Sequence, residues 1–271
     1  MQQVAIASLH VYPLKGAAGF APRRWEIDPR GLRHDRRFMV VRPDGSFVTQ
    51  RQEPRLALLE AAIEGERLDL RSACGSASVA AVPDGGRRLP VRVWDDEVDA
   101  LLPSSHADQL LEAHLGFPAC LAYMPETSGR RTAPKRGEPT SPVSFADAAP
   151  ILLAAESALA ELGERLEAAG AEPVPMDRFR PNIVVRGNAR GDDDRWAAVA
   201  IGAARLRVAT PCKRCQVVTI DQRTAELRGP EPLRTLATYR RLEDAVVFGR
   251  HVLVDRGGPI AVGDRVEVLA T

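Results

Sequence analysis

The sequence predicts an α+β chain that is mostly β, folded as two sub-domains with a few peripheral helices. Three observations carry this. Short runs of aliphatic and β-branched residues recur between Gly, Pro and Asp along most of the chain. Clear helical spacing is confined to residues 105–115 and 156–169, with a shorter stretch at 233–239. A loop rich in Gly, Pro, Arg, Thr and Ser occupies residues 126–142 and breaks the pattern near the middle of the chain. The boundary falls there, giving sub-domains over 1–125 and 126–271. Regularly spaced short strands argue for barrels or sandwiches.

In order along the chain, residues 5–12 alternate as a strand and end in the turn Tyr12-Pro13-Leu14-Lys15-Gly16. The segment Gly31 to Arg37 leads into a strand at 38–41. Pro43-Asp44-Gly45 then signals a hairpin with a return strand over 46–49. A polar run, Thr49 to Arg55, precedes a strand expected at 56–60. Further short strands fall at 68–70, 78–82, 91–94 and 98–101. The helix at 105–115 stops at Gly116 and carries His106 and His114, two isolated histidines better suited to surface or interface packing than to a shared metal.

The 126–142 loop reads equally as a linker or a lid. Beyond it, Leu159, Leu162 and Leu166 mark an amphipathic core helix ended by Gly170. Arg178 and Arg180 flank Phe179 before a strand at 183–185; they read as a surface pair or as a guanidinium aimed at an anion. A hairpin around Gly202 feeds Thr210-Pro-Cys212-Lys-Arg-Cys215, and Val217 to Ile220 reads as a buried strand. A strand bent at Gly249 and a final strand pair over 260–268 complete the chain.

The 271 residues, 45% hydrophobic with net charge +1, describe an ordinary globular protein with no positive field for nucleic acid. The N-terminus lacks the basic and apolar regions of a signal peptide, and the apolar run at 151–155 meets Glu156 far short of a membrane span. Four cysteines without a disulfide framework suit a reducing compartment, and the expected location is cytoplasmic. No P-loop, G-x-G-x-x-G or G-x-S-x-G motif supports nucleotide binding or hydrolase chemistry.

Cys212 and Cys215 lie at C-x-x-C spacing with Lys213 and Arg214 between them, and adjacent cations favour the thiolate. Three readings stand. The cysteines are structural or accidental; they form a redox pair; or one thiolate ligates a metal whose other ligands come from a cofactor. Cys74 and Cys120 are isolated, so a four-ligand zinc site lacks its second pair. A thioredoxin-like pair would need a helix starting inside the motif, where a strand is expected instead.

Five motifs in series resemble the MOSC family. Phe179-Arg-Pro-Asn-Ile183 and Cys212-Lys-Arg-Cys215 with Val218-Thr-Ile-Asp221 look like the MOSC domain shared by molybdenum cofactor sulfurases and the mitochondrial amidoxime-reducing component. Tyr12-Pro-Leu-Lys15, Asp35-Arg-Arg-Phe38 and Thr49-Gln-Arg-Gln-Glu-Pro-Arg55 look like that family's N-terminal β-barrel domain. The resemblance implies a β-barrel-like domain over 1–125 joined to a MOSC-type β-barrel over 126–271. It implies a molybdenum–molybdopterin cofactor with Cys215 as the protein ligand and catalytic residue, while Cys212 is a packed thiol.

By the same resemblance the cofactor is held by Lys15, Gly16, Arg36, Ala148, Ala149, Arg180, Asn182, Lys213, Arg214 and His251. Ala148 and Ala149 stand where relatives offer hydroxyls, and Gly16 stands where they have Ser. The implied activity is reduction of N-hydroxylated compounds (amidoximes, hydroxylamines, hydroxylated base analogues), with oxygen removed at molybdenum. No ferredoxin-type cysteine run or flavin motif is present, so electrons are expected from a separate flavin, haem or iron–sulfur protein. The competing implication is a non-catalytic cofactor carrier or sulfur-transfer module.

Overall fold

A computed structural model describes residues 3–132 and 140–271. The N-terminal half begins with β1 (Ala5–Leu9), β2 (Arg24–Asp28), β3 (Gly31–Leu32) and β4 (Phe38–Val41). A three-stranded meander follows, of β5 (Glu60–Glu64), β6 (Arg67–Ser72) and β7 (Gly75–Ala80). Next come the hairpin β8 (Arg87–Val93) and β9 (Asp96–Leu102), helix α1 (Ser105–Leu115) and β10 (Cys120–Tyr123). Strands β4, β10, β9 and β8 form one antiparallel sheet. The α1 helix starts at a Ser104 cap and stops at Gly116, whose φ of 78° is left-handed.

The C-terminal half contains β11 (Ile151–Ala155), α2 (Glu156–Ala168), β12 (Ile183–Arg186), β13 (Ala198–Ile201) and β14 (Ala204–Lys213). It continues with α3 (Leu233–Leu236), β15 (Arg241–Leu242), β16 (Ala245–Arg256), β17 (Gly258–Ala261) and β18 (Val266–Ala270). The main sheet runs β1-β12-β11-β16-β14-β13-β18. Ile6 N–H donates to the Asp264 carbonyl and Val266 N–H to that of Val4, both at 2.9 Å, which joins the two ends of the sheet into a barrel. Ile6, Leu153, Phe179, Val199, Leu206 and Phe248 pack inside the core around this barrel.

Two strand pairings cross the division near residue 126 among the described residues. β1 belongs by pairing to the C-terminal sheet, and β17 pairs with β2 of the N-terminal half. Phe145, from beyond the boundary, packs among Met39, Val41, Val91 and Met124. Two halves sharing strands and core in this way hold the segments between them in a fixed relation.

Three expected strands take other forms. Residues 54–58 form a 3₁₀ turn because Pro54 suits the first position of a helical turn and Glu53 caps it, with Leu56 and Ala57 turned into the core. The strand there starts later, at Glu60. Residues 46–49 return beside β4 through an isolated bridge of Val41 with Phe47, with Arg42 N–H donating to the Ser46 carbonyl at 2.8 Å and Val48 N–H to the Val40 carbonyl at 2.9 Å, and form no regular strand. Gln216–Thr219 is also a 3₁₀ turn, closed by Thr219 Oγ1 donating to the Gln216 carbonyl at 2.7 Å. Burial of Val218 and Ile220 is achieved from a turn, so packing overrides the β preference of that run.

Residues 133–139, the centre of the expected long loop, lie outside the described residues. Its flanks are anchored: Arg131 bridges Pro142, Thr132 N–H donates to the Ser141 carbonyl at 2.8 Å, and Arg30 holds Glu126 at 2.9 Å. Among the described residues no helix is long and apolar enough to cross a membrane.

Candidate functional site

At the junction of the halves, Tyr12 lies between two guanidiniums. Arg36 sits 4.4 Å from the ring centroid and Arg180 4.2 Å. Like charges gather here because aromatic faces and carbonyls receive them. Arg180 donates to the Ala17 carbonyl at 2.6 Å, and Arg36 donates to the Arg180 carbonyl at 3.2 Å. Burial, with Arg36 nearby, brings the Arg180 guanidinium down to about 10 despite Tyr12 and Asp35. Six described non-glycine residues have positive φ, and three of them, Arg36 (49°), Trp94 (54°) and Arg180 (53°), border this region. Such backbone is strained for large side chains and concentrates at functional sites.

Asp35, 1% exposed, organises the arginines from beneath. Its carboxylate accepts from Arg36, from the Tyr12 N–H at 2.9 Å and from Asn182 Nδ2 at 3.0 Å. Burial pushes the carboxyl up, against the pull of Arg36 and these donors. Asn182 also accepts from the Leu152 N–H at 3.1 Å and donates to the His10 carbonyl at 3.2 Å. It therefore works as a brace behind the arginines, tying β1, β11 and β12 together.

Lys15, 9% exposed, donates to the Phe145 carbonyl at 2.8 Å and pairs with Asp147. Burial lowers the Lys15 ammonium more than Asp147 raises it. For Asp147 the balance reverses: the surrounding protein raises its carboxyl, but Lys15 and Trp94 together hold it at about 2. Trp94 Nε1 donates to Asp147 at 3.0 Å. Ala148 and Ala149 follow on this rim, the first exposed and the second half-buried.

Cys215, half-buried, caps the 3₁₀ turn at 216–219. Arg51 reaches it from the other half, with Nη2 at 3.5 Å from Sγ. The same guanidinium lies 4.8 Å from the centroid of the Trp94 ring. Lys15, Asp147, Trp94, Arg51 and Cys215 thus form one continuous chain of contacts. A second chain runs from Gly16, whose carbonyl accepts from Gln50 at 2.6 Å, through the reciprocal amides of Gln50 and Gln222 (3.0 and 3.1 Å) to Arg180. Gly16 has φ 84°, and a Cβ there would press on Leu56 at 3.2 Å, so a serine would not fit this turn unstrained.

The remaining expected residues sit elsewhere. Lys213 points outward, 61% exposed, 3.7 Å from Asp244. Arg214 donates to Cys212 Sγ and to the Phe179 carbonyl, each at 2.9 Å. His251 hydrogen-bonds Cys212 and lies 3.3 Å from Thr210 Oγ1. The cation of the C-x-x-C motif therefore acts on the buried Cys212: burial raises that thiol, but Arg214 and His251 bring it down to about 7. Arg51, Trp94, Gln50, Gln222 and Asp35 are not among the site residues expected from sequence; Arg51, Gln50 and Asp35 lie inside quoted motifs, while Trp94 reads as a strand end.

Cys215 is one soft ligand. Among the described residues no three His, Cys, Asp or Glu side chains converge on a metal position. That donor set suits a metal bringing most of its own ligands, and the cations Lys15, Arg36, Arg51 and Arg180 suit an anionic organic group.

The sequence matches the MOSC N-terminal beta barrel domain over residues 3–118 and the MOSC domain over 140–267. It is 31% identical to mitochondrial amidoxime-reducing component 1 of Mus musculus, covering 99% of this chain and 84% of that protein. The Homo sapiens protein of that name is 30% identical at the same coverage. The molybdenum cofactor sulfurase of Homo sapiens is 30% identical over 96% of this chain, which spans 32% of that protein.

Proposed function

Since the chain belongs to the family that joins a MOSC N-terminal β-barrel to a MOSC domain, we propose that it is a molybdenum-cofactor-dependent reductase of N-hydroxylated compounds. The observation that carries this reading is the half-buried Cys215 thiol, met by Arg51 at 3.5 Å and joined through Trp94 and Asp147 to Lys15. The similarity to amidoxime-reducing components along nearly the whole chain supports the reaction class.

In this reading Cys215 binds molybdenum of a molybdopterin cofactor, while Lys15, Arg36 and Arg180 hold its anionic and polar groups. When bound, the cofactor supplies the two-electron redox chemistry. The protein orients it: Asp35 and Asn182 fix the arginines, and Gln50 with Gln222 locks one half against the other. The balance is R–NHOH plus two electrons and two protons giving R–NH₂ and water. The electrons come from a separate flavin, haem or iron–sulfur protein. Arg51, beside the sulfur at 3.5 Å, would donate hydrogen bonds to a bound N–O group. Cytoplasmic residence belongs to the same reading, supported by the four free cysteines.

Protein from a molybdopterin-competent host is expected to contain molybdenum and to reduce benzamidoxime with a chemical reductant. Zinc in place of molybdenum would overturn the reading. Molybdenum without turnover would favour a cofactor carrier, the alternative that the similarity to the sulfurase supports.

A further inference from the structure

We propose that Asp193 is held protonated by Asn188 in a buried acid–amide clasp, a pH-sensitive fastening of the β12–β13 loop to helix α2. The clasp lies outside the candidate site and stands whatever reaction the chain performs.

Strands β11 and β12 run parallel, and an asparagine pins each end of the pair. At one end Asn182 N–H donates to the Leu152 carbonyl at 2.8 Å and its Oδ1 accepts from the Leu152 N–H at 3.1 Å. At the other end the loop after β12 turns back onto the first turn of α2, which follows β11 directly. There Asn188 Nδ2 donates to Ser157 Oγ at 3.1 Å and to the Ala189 carbonyl at 3.1 Å. A carbonyl can only accept, which settles which end of the amide is Nδ2. The same Nδ2 makes a longer contact, 3.4 Å, with Asp193 Oδ1.

Asp193 is 1% exposed. Its Oδ2 and the Oδ1 of Asn188 are both shut off from solvent, and no donor reaches either among the described residues. Buried polar atoms are nearly always paired, so two orphaned acceptors on adjoining planar groups call for one proton. A carboxylate there would be a buried charge with one long hydrogen bond, and a group so placed neutralises instead. A proton on Asp193 Oδ2, directed at Asn188 Oδ1, satisfies both oxygens and closes a two-bond ring. The charged groups that act on Asp193 are Asp194 in its own turn, Arg240 before β15 and Arg250 on β16; α2 presents the neutral Ser157. Arg240 is already paired with Asp194. Burial, then Asp194, pushes the Asp193 carboxyl up, against its own backbone N–H and the two arginines.

The sign of the pH effect follows. Because the folded value lies above the ordinary 3.8, the contribution of the clasp is complete below 3.8 and is lost as pH rises through the folded value. Above it the proton leaves, the ring opens, and one end of the β11–β12 pair loses its pin.

Two measurements on the purified full chain test this. In carbon-13 NMR with labelled aspartate, the Asp193 signal is identified by its loss in Asp193→Asn. It is expected to stay in the protonated position to higher pH than the signals of exposed aspartates. Urea unfolding then compares the natural chain with Asp193→Asn from pH 4.5 to pH 8. The substituted amide keeps both bonds of the ring at every pH, its Nδ2 standing in for the acid proton. The natural chain should therefore lose stability relative to the variant as pH rises, levelling off above the folded value. An Asp193 carboxyl that titrates with the exposed aspartates would be a carboxylate serving the arginines or a bridging water, and would overturn the clasp. So would a stability difference that is independent of pH or grows in favour of the natural chain.

Discussion

Cys212 and Cys215 are three residues apart and are treated differently by the fold. Cys212 closes the end of β14, 8% exposed, with Arg214 at 2.9 Å and His251 beside it. Cys215 lies past the strand end, half-buried, and meets Arg51 from the N-terminal half. The electrostatically favoured thiolate is thus the enclosed one, whereas the accessible sulfur is the one facing the cation-rich junction. Arg214 also holds the Phe179 carbonyl at 2.9 Å, one residue before Arg180. Cys212 therefore helps fix an arginine of the site without touching it.

The sharpest way to break this division is to exchange the two thiols' fates. Cys215→Ala is expected to lower benzamidoxime reduction roughly a hundredfold or more and to deplete bound molybdenum, as loss of a metal ligand does. Cys212→Ala should keep most of both. Metal analysis with turnover of the two variants side by side reads the difference; equal loss from both would erase it.

A similar contrast separates groups that face the junction from groups that brace it. Asp35 braces: it is 1% exposed and accepts from Arg36, Tyr12 and Asn182. Asp35→Ala strips a buried charge pair and is expected to destabilise the chain by about 3–5 kcal/mol in urea unfolding. Lys15→Ala, at the rim with a half-open partner, should cost less stability and more cofactor. A stability loss for Asp35→Ala no greater than for Lys15→Ala would show that the brace is misassigned.

Much of the frame is legible in sequence because its signals are local. Gly116 and Gly170 end α1 and α2 through left-handed φ of 78° and 72°, and Gly249 bends β16 at φ 74°. Lys15, Arg36, Arg180 and Cys215 were legible as motif residues, each just outside or at the end of a predicted element. What escaped depends on distant pairing. The contact of Arg51 with Cys215 spans 164 positions, and that of Gln50 with Gln222 spans 172. β2 carries only one buried residue, Ile27, and is defined by β3 and β17, the latter more than two hundred positions away. The run Val217–Ile220 has strand composition, but its neighbours require a turn that aims Cys215 at the other half. Lys213 and Arg214 looked equivalent because spacing says nothing about which side of a strand end faces a sulfur.

The Cys212 environment can be sharpened by pH. Its thiol stands at about 7 in the fold, below its ordinary 9.0, with Arg214 and His251 the partners facing it. A depressed acid stabilises the folded chain fully above pH 9 and loses that contribution as pH falls through 7. The shift corresponds to about 2–3 kcal/mol. The stability difference between the natural chain and Cys212→Ala should therefore widen by that amount between pH 6.5 and pH 9. A difference independent of pH would mean that Arg214 is held by Phe179 alone.

Lys213 supplies the smallest effect and the cleanest control on the comparison. It lies between the two cysteines in sequence, yet its ammonium is 61% exposed and faces Asp244, itself 88% exposed, at 3.7 Å. A pair so open to solvent contributes about 0–1 kcal/mol. Its position in β14 opposite Val247 needs only its backbone. Lys213→Ala should accordingly leave stability within about 0.5 kcal/mol, with molybdenum content and the KM for benzamidoxime unchanged. Arg214→Ala, by contrast, should shift the Cys212 titration upward and loosen Arg180 through Phe179. If Lys213→Ala weakened cofactor retention as much as Arg214→Ala did, the motif would act through its summed charge, and the separate surroundings of its two thiols would not matter.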